Sequence, residues 1–285
     1  MTAPHIHIEN IQKTFLIKNN EPGHPESHTQ LEVLKGIQLS VREGEFLTVV
    51  GPSGSGKSVL LDIISGLAQA SGGTVTLSGQ TINGPSRDSS YVFQQYALFP
   101  WKSALQNIAY PLEIRSVPKA ERLQRAQKLL ELFGLQDFAH RFPNQLSGGM
   151  QQRVAIARAL VTEPKVLLMD EPFAALDAQT REALQIELLR IWHNFKTTVI
   201  FITHGLDEAV FLGDRVAVMA ARPGRIKGVI DIPLPRPRDA DLRASDAFHQ
   251  YRQRVWEVLR DEVIDTPAVR KPQLHAVPTP LKAAA

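Results

Sequence analysis

The chain has 285 residues, enough for one large domain or two modest ones. With 43% hydrophobic and 21% charged residues it reads as a soluble globular protein, and the absence of cysteine excludes disulfides and thiolate metal sites. No apolar run approaches the roughly eighteen residues that span a bilayer and no export leader is seen, which with the absence of cysteine favours the cytoplasm, and a net charge of +3 without a dense basic stripe is no nucleic-acid footprint by itself.

Residues 5–17 alternate polar and apolar side chains, as a half-buried strand does. His5 and His7 share one face of it, where a metal ligand pair is conceivable and two solvated strand residues are the plainer reading. Phe15, an aromatic ahead of the next motif, could stack on a nucleobase or belong to the core. Residues 18–30 hold Pro22, Gly23 and Pro25 and read as a long polar loop, with His24 and His28 solvated, before a return strand over 31–41.

Glu45 to Val50 is a buried strand that runs into Gly51-Pro52-Ser53-Gly54-Ser55-Gly56-Lys57-Ser58, a match to G-x-x-x-x-G-K-[ST]. Glycines let successive N–H groups curl around phosphate oxygens, Lys57 brings a cation to the β- and γ-phosphates, and Ser58 offers a hydroxyl to Mg²⁺. The helix that follows, through Val59 to Ile64, aims its positive dipole end at the same point.

Strands are expected over 74–77 and, buried, over 90–93. Gln94 stands at the end of the second, where ligand-binding side chains sit in open α/β sheets. Leu98-Phe99-Pro100-Trp101 is an apolar, exposed turn, either a core anchor or a docking surface. Residues 103–160 read as a helical insert, broken into pieces by Pro111, Pro118 and Pro143, with Leu123, Ala126, Leu129, Leu130 and Phe133 at helical spacing and Gly134 as a stop. Ser147 suits the N-cap of a helix running to about Val161, and Gly148 and Gly149 expose backbone N–H groups. That start is either a second anion site or a common turn.

Lys165 to Met169 is a continuous apolar run, the mark of a strand covered on both faces, and it ends in Asp170-Glu171. Two carboxylates at such a strand end are costly unless they work, and the economical work is Asp170 holding Mg²⁺ and Glu171 polarising a water. Ala175-Leu176-Asp177 leads into a helix with Leu184, Leu188 and Ile191 on one face. Thr198 to Thr203 is the next buried strand, and His204 at its end is placed to contact a γ-phosphate. A helix over 206–212, strands over 215–219 and 225–230, and a turn at Pro223-Gly224 follow. Beyond Pro233 the chain reads as an extended linker with Arg236 and Arg238, one amphipathic helix over 247–263 through Phe248, Tyr251, Val255 and Leu259, and a disordered tail over 266–285. That helix either packs against the preceding domain or regulates it.

Taken in order, these motifs resemble the ATP-binding-cassette (ABC) family over residues 5 to about 232. The resemblance implies an α/β P-loop NTPase fold: a RecA-like parallel-sheet core, an N-terminal antiparallel β subdomain, and an α-helical subdomain at about 95–160. Residues 1–232 would form the ATP-binding domain and 233–285 the Pro-rich linker, helix and tail. The Walker A loop falls on Gly51 to Ser58 with Val59, the Q-loop glutamine on Gln94, the signature motif on Leu146 to Arg153 (with Met150 where glutamine is common), Walker B on Val166 to Asp170, the catalytic glutamate on Glu171, the D-loop on Ala174 to Asp177, and the switch histidine on His204. Phe15 aligns with the adenine-stacking aromatic. Mg²⁺ would be held by Ser58, Asp170 and Gln94. The family further implies a head-to-tail dimer in which Ser147, Gly148 and Gly149 of one copy close over ATP on the other.

A narrower similarity is to bacterial importer subunits for nitrate, sulfonate, taurine and bicarbonate. It rests on Phe93-Gln94 followed by Leu98 to Trp101, on Ala221 to Ile226, and on Pro235 to Arg238 before a terminal helix, while the 18–30 loop departs from the shorter hairpin expected. It implies two membrane permease subunits, a substrate-binding protein, a location at the cytoplasmic face of the inner membrane, and no nucleic-acid partner. A soluble cassette acting on ribosomes or DNA would carry two cassettes or long coiled coils, and this chain has neither. A small-molecule P-loop kinase would lack the signature motif and His204. An exporter stays open.

Overall fold

The computed structural model describes residues 5–18 and 28–264. Most of the 18–30 loop, with His24, and the tail after Ile264 lie outside them.

Two sheets frame the molecule. The first is antiparallel: β1 (Ile6–Lys18), β2 (His28–Val41), β4 (Gly72–Leu77) and β5 (Gln80–Thr81), in the order β2-β1-β4-β5. The second has six strands in the order β10-β9-β3-β8-β7-β6. Its members are β3 (Phe46–Val50), β6 (Ser89–Val92), β7 (Val166–Asp170), β8 (Thr198–Thr203), β9 (Arg215–Ala220) and β10 (Arg225–Asp231). The pairings from β9 to β6 are parallel, and only β10 runs antiparallel, against β9. The continuous apolar runs of β3, β7 and β8 are explained by this order: they are interior strands with both faces covered. The 90–93 segment, expected to be fully buried, is mostly half-buried, because β6 is the edge strand and neighbours cover one side only.

Helix α1 (Lys57–Ser65) lies between the sheets. Its Leu60, Leu61, Ile63 and Ile64 share a core with Ile6, Ile8, Leu39 and Val75 of the antiparallel sheet and Val49, Leu168 and Ile202 of the parallel one. The opposite face of the parallel sheet is covered by a second core. That core takes in α2 (Ala104–Ile114), α3 (Lys119–Leu132), α4 (Gly148–Leu160), α5 (Ala178–Phe195) and α6 (Leu206–Leu212). Ser103 starts α2 with a capping box, its side chain accepting from the Gln106 N–H while the Gln106 side chain accepts from the Ser103 N–H. Pro111, expected to break the region, sits inside α2, and the helix runs on past the ring for another turn. Pro118 and Pro143 do mark boundaries, before α3 and at a single 3₁₀ turn.

His5 and His7 are not paired with each other, and only His7, half-buried, keeps contact with solvent. His5 is buried with Nδ1 3.3 Å from Ser78 Oγ, and His7 Nδ1 lies 2.9 Å from Ser40 Oγ.

The Pro-rich segment after Pro233 is extended but not free. Arg238 is only 5% exposed. Its guanidinium donates to the carbonyls of Val210, Phe211 and Gly213 at the C-terminal end of α6 and of Ile232 and Leu234. Helix-end carbonyls carry partial negative charge and lack intrahelical partners, so a buried guanidinium satisfies them. Arg236 pairs with Asp214 at 2.7 Å and lies over the Trp192 ring. Helix α7 (Asp246–Ile264) then buries Phe248, Val255 and Leu259 in the same core as Phe211 and Val218, with Tyr251 half-buried beside them.

Candidate functional site

In a parallel sheet all strands finish on one edge, so whatever follows β3, β8, β7 and β6 is gathered there. These strands are adjacent, and they deliver the 51–56 loop, His204, Asp170-Glu171 and Gln94 side by side.

The loop folds as its glycines dictate. Gly56 has φ +82°, and a Cβ there would meet Leu34 Cδ2 at 2.6 Å; a Cβ on Gly51 would lie 2.6 Å from the Met219 carbonyl. The loop is thus pressed between β2 and β9. Lys57 is buried beneath it, with Nζ donating to the carbonyls of Gly51 at 2.9 Å and Pro52 at 3.1 Å. Burial lowers the lysine pKa, and the carboxylates of Glu171 and Asp170 oppose that by favouring the cation.

Asp170 ends β7 half-buried. Burial raises its carboxyl above the usual value, a hydrogen bond with Ser58 pulls the other way, and Glu171 adds to the rise. Its Oδ1 is buried without a hydrogen-bond partner. A buried orphan carboxylate oxygen beside a serine hydroxyl is a hard-oxygen donor set that fits Mg²⁺. Among the described residues no group of three His, Cys, Asp or Glu could hold a metal by itself.

Glu171 adopts φ +44°, left-handed backbone that costs a non-glycine residue about 1 kcal/mol or more. Its N–H donates to the Ile202 carbonyl at 3.1 Å and its carbonyl accepts from Ala174 N–H at 3.1 Å, and these bonds hold the turn. The result points the side chain, 15% exposed, at His204, with Oε1 2.6 Å from Nε2. His204 Nδ1 in turn lies 3.2 Å from the Gly51 carbonyl. Carboxylate, imidazole and phosphate loop are therefore joined in one line.

The other expected site residues are placed less tightly. Gln94 is exposed at the end of β6. Phe15 is 42% exposed on β1, with the Lys13 ammonium 4.9 Å from its ring centroid, so it is not core. Ser147 caps α4, its hydroxyl accepting from Met150 N–H at 3.3 Å, and no hydrogen bond joins Ser147, Gly148 or Gly149 to the phosphate loop among the described residues. Asp177 caps α5 through the Thr180 N–H, which holds its carboxyl below the usual range. The turn at 98–101 divides: Trp101 is 69% exposed, while Phe99 packs on Tyr110. The Phe99 N–H donates to the buried Asn107, and Arg158 clamps the turn through the Tyr96 and Ala97 carbonyls.

Tyr91 and Asp62 were not foreseen. The Tyr91 hydroxyl donates to Asp62 Oδ1 at 3.2 Å, and burial with Asp170 and Asp62 nearby raises its pKa, so it stays a donor. Nothing in the local sequence marks the pair, because it joins β6 to α1.

Residues 34–174 match the model of the ABC transporter family. The chain is 51% identical to an uncharacterised ABC transporter ATP-binding protein of Methanocaldococcus jannaschii, over 90% of this chain and 92% of that one. It is 39% identical to a nitrate import ATP-binding protein of Synechocystis, over 93% and 99%, and 48% identical to an aliphatic sulfonates import ATP-binding protein of Bacillus subtilis, over 78% and 85%. Among solved structures it resembles a dimeric ATP-binding cassette in a post-hydrolysis state bound to ADP and phosphate, at 34% identity and a TM-score of 0.69, covering 81% of this chain and all of that one.

Proposed function

The chain belongs to the ABC transporter family as an ATP-binding and ATP-hydrolysing cassette, and we propose that it powers uptake of a small anion of the nitrate, sulfonate, taurine or bicarbonate kind through separate membrane subunits. The observation that carries the catalytic reading is the line from Glu171 through His204 to the Gly51 carbonyl, beside the buried Lys57.

In this reading the N–H groups of Gly51 to Val59, including those of Ser53, Gly54 and Ser55, cradle the phosphates of ATP, with Pro52 shaping the loop. Lys57 leaves its loop carbonyls for the β- and γ-phosphates. Phe15 stacks on the adenine. Glu171 orients the attacking water, and His204 turns from Glu171 towards the γ-phosphate to hold it as charge shifts. Gln94 contacts the reacting end from β6. Ser58 and Asp170, with Gln94, would hold Mg²⁺, which when bound neutralises charge on the phosphates. Little covalent chemistry is needed beyond this positioning.

Ser147, Gly148 and Gly149 serve the second copy. Ser147 is exposed, Gly148 and Gly149 are half-exposed, and no hydrogen bond joins them to their own phosphate loop among the described residues, which supports a head-to-tail dimer with ATP between the copies and Asp177 near the seam. No helix among the described residues is long and apolar enough to cross a membrane. Two permease subunits and a substrate-binding protein supply the path and the selectivity, with this chain at the cytoplasmic face of the inner membrane. The exposed Trp101 and Phe93 offer the permease a docking surface.

The test is uptake by cells lacking this subunit, assayed across nitrate, alkanesulfonates, taurine and bicarbonate. Loss of one anion's uptake, restored by the wild-type chain and not by Glu171→Gln, supports the reading. Unchanged uptake of all four overturns the substrate class.

A further inference from the structure

The C-terminal segment is tied to the turn that carries His204. Arg243 lies in the 3₁₀ segment Ala240–Ala244, and its Nη2 donates to Gln185 Oε1 on α5. Gln185 is fully buried, and its Nε2 donates to Glu208 Oε1 at 2.6 Å. Glu208 Oε2 accepts from the Thr203 hydroxyl, and Thr203 Oγ1 accepts from the Gly205 N–H at 2.9 Å. The Gln185 amide accepts through Oε1 and donates through Nε2, so it is fixed at both ends, and the Thr203 hydroxyl donates to Glu208 while accepting from Gly205. The line finishes on the residues immediately before and after His204.

Two more contacts brace it. Arg252 on α7 donates from Nε to Asp207 Oδ1 at 2.8 Å, and the Arg243 guanidinium lies 4.1 Å from the Phe211 ring centroid, both partners being on α6. A cavity of about 400 Å³ is lined by Glu171 and His204 together with Thr203, Gln185, Glu208 and Arg243 of this line. The His204 ring is held at its two nitrogens by Glu171 and the Gly51 carbonyl, while its backbone lies in the turn between β8 and α6 that this line braces.

We propose that Arg243, Gln185 and Glu208 are positioning residues for His204, so that the C-terminal segment sets the geometry of the Glu171–His204 pair. This rests on the role given to His204 above. Small misplacements of a catalytic group are expensive: an error near 1 Å can cost about a hundredfold in rate. A segment outside the nucleotide-binding motifs thereby acts on turnover without touching the nucleotide.

The experiment is steady-state ATP hydrolysis by the purified full chain, with melting temperature measured alongside. Arg243→Ala and Gln185→Leu are each expected to lower kcat about tenfold while KM for ATP stays within twofold, and the double variant to be no worse than either single one, as for residues acting through one line. Leu259→Ala loosens α7 without touching the line and is expected to lower Tm while leaving kcat unchanged. Arg243→Lys replaces Arg243→Ala should the latter fail to fold, and because the ammonium lacks the planar fork it is expected to fall in kcat as well. Unchanged kcat in the single variants, additive losses in the double variant, or a kcat loss in Leu259→Ala equal to that of Arg243→Ala would overturn the proposal. His204→Ala distinguishes the two layers: full turnover in that variant removes the role of His204, whereas its loss together with a silent Arg243→Ala removes only the positioning line.

Discussion

His204 stands between two oxygens, with Nε2 2.6 Å from Glu171 Oε1 and Nδ1 3.2 Å from the Gly51 carbonyl. Both contacts are satisfied in full when each ring nitrogen carries a proton. The phosphate loop and the carboxylate are thus linked by one side chain, the one proposed to turn towards the γ-phosphate.

Glu171→Gln removes the charge proposed to orient water and keeps the shape. The variant is expected to bind ATP with near-parental affinity, to form an ATP-dependent dimer visible by size-exclusion chromatography, and to lose turnover by roughly a hundredfold or more. Phosphate release near the parental rate would exclude Glu171 as the orienting group.

Asp170 has a pH signature that runs against habit. Burial raises its folded pKa above 3.8, so its contribution to stability is fully present at low pH and is lost as pH rises through the folded value. At neutral pH the metal-free fold carries a desolvated charge that asparagine would not. Asp170→Asn is therefore expected to melt higher than the parent at pH 7 to 8 without nucleotide, by roughly 2–4 °C for each kcal/mol relieved. The gap closes as pH falls, and the Tm gain that Mg²⁺ and ATP give the parent disappears in the variant. Thermal melts at several pH values, with and without Mg²⁺ and ATP, check all three.

Phe15 is exposed and free to meet a ring. Phe15→Ala is expected to weaken ATP binding by about 1–2 kcal/mol, roughly five- to thirtyfold in Kd, with little change in Tm. Equal affinities in titration calorimetry would remove the stacking role.

Arg238 holds five carbonyls in a buried position. Replacing it by alanine leaves them without a donor and opens a void, so a loss of about 3–5 kcal/mol is expected in urea unfolding. Trp101→Ala, by contrast, is expected to stay within about 0.5 kcal/mol of the parent and to keep soluble ATP hydrolysis, while transport by the assembled complex falls.

The sequence reading succeeded where chemistry sits at the end of a buried parallel strand. Val166 to Met169 and Val199 to Ile202 are apolar throughout, and Asp170-Glu171 and Thr203-His204 follow them on the sheet edge where the phosphate loop also lies. Features that depend on which strand lies next to which were hidden. The half-burial of β6 follows from its edge position, and the Tyr91–Asp62 bond joins elements 29 residues apart. The Pro235–Arg238 stretch has the composition of a free linker, and nothing local reveals that Arg238 closes the end of α6. His5 likewise reads as solvated until Ser78 is brought against it.

The left-handed backbone at Glu171 sets chemistry against folding at a single position. A glycine there would relax the main chain and, on the role proposed for Glu171, abolish hydrolysis in one step, so the residue is one that a search for sturdier variants would discard. A library of this protein ranked only by yield or heat resistance should become enriched in inactive members altered at residue 171. Any effort to harden the chain has to keep turnover in the selection from the first round.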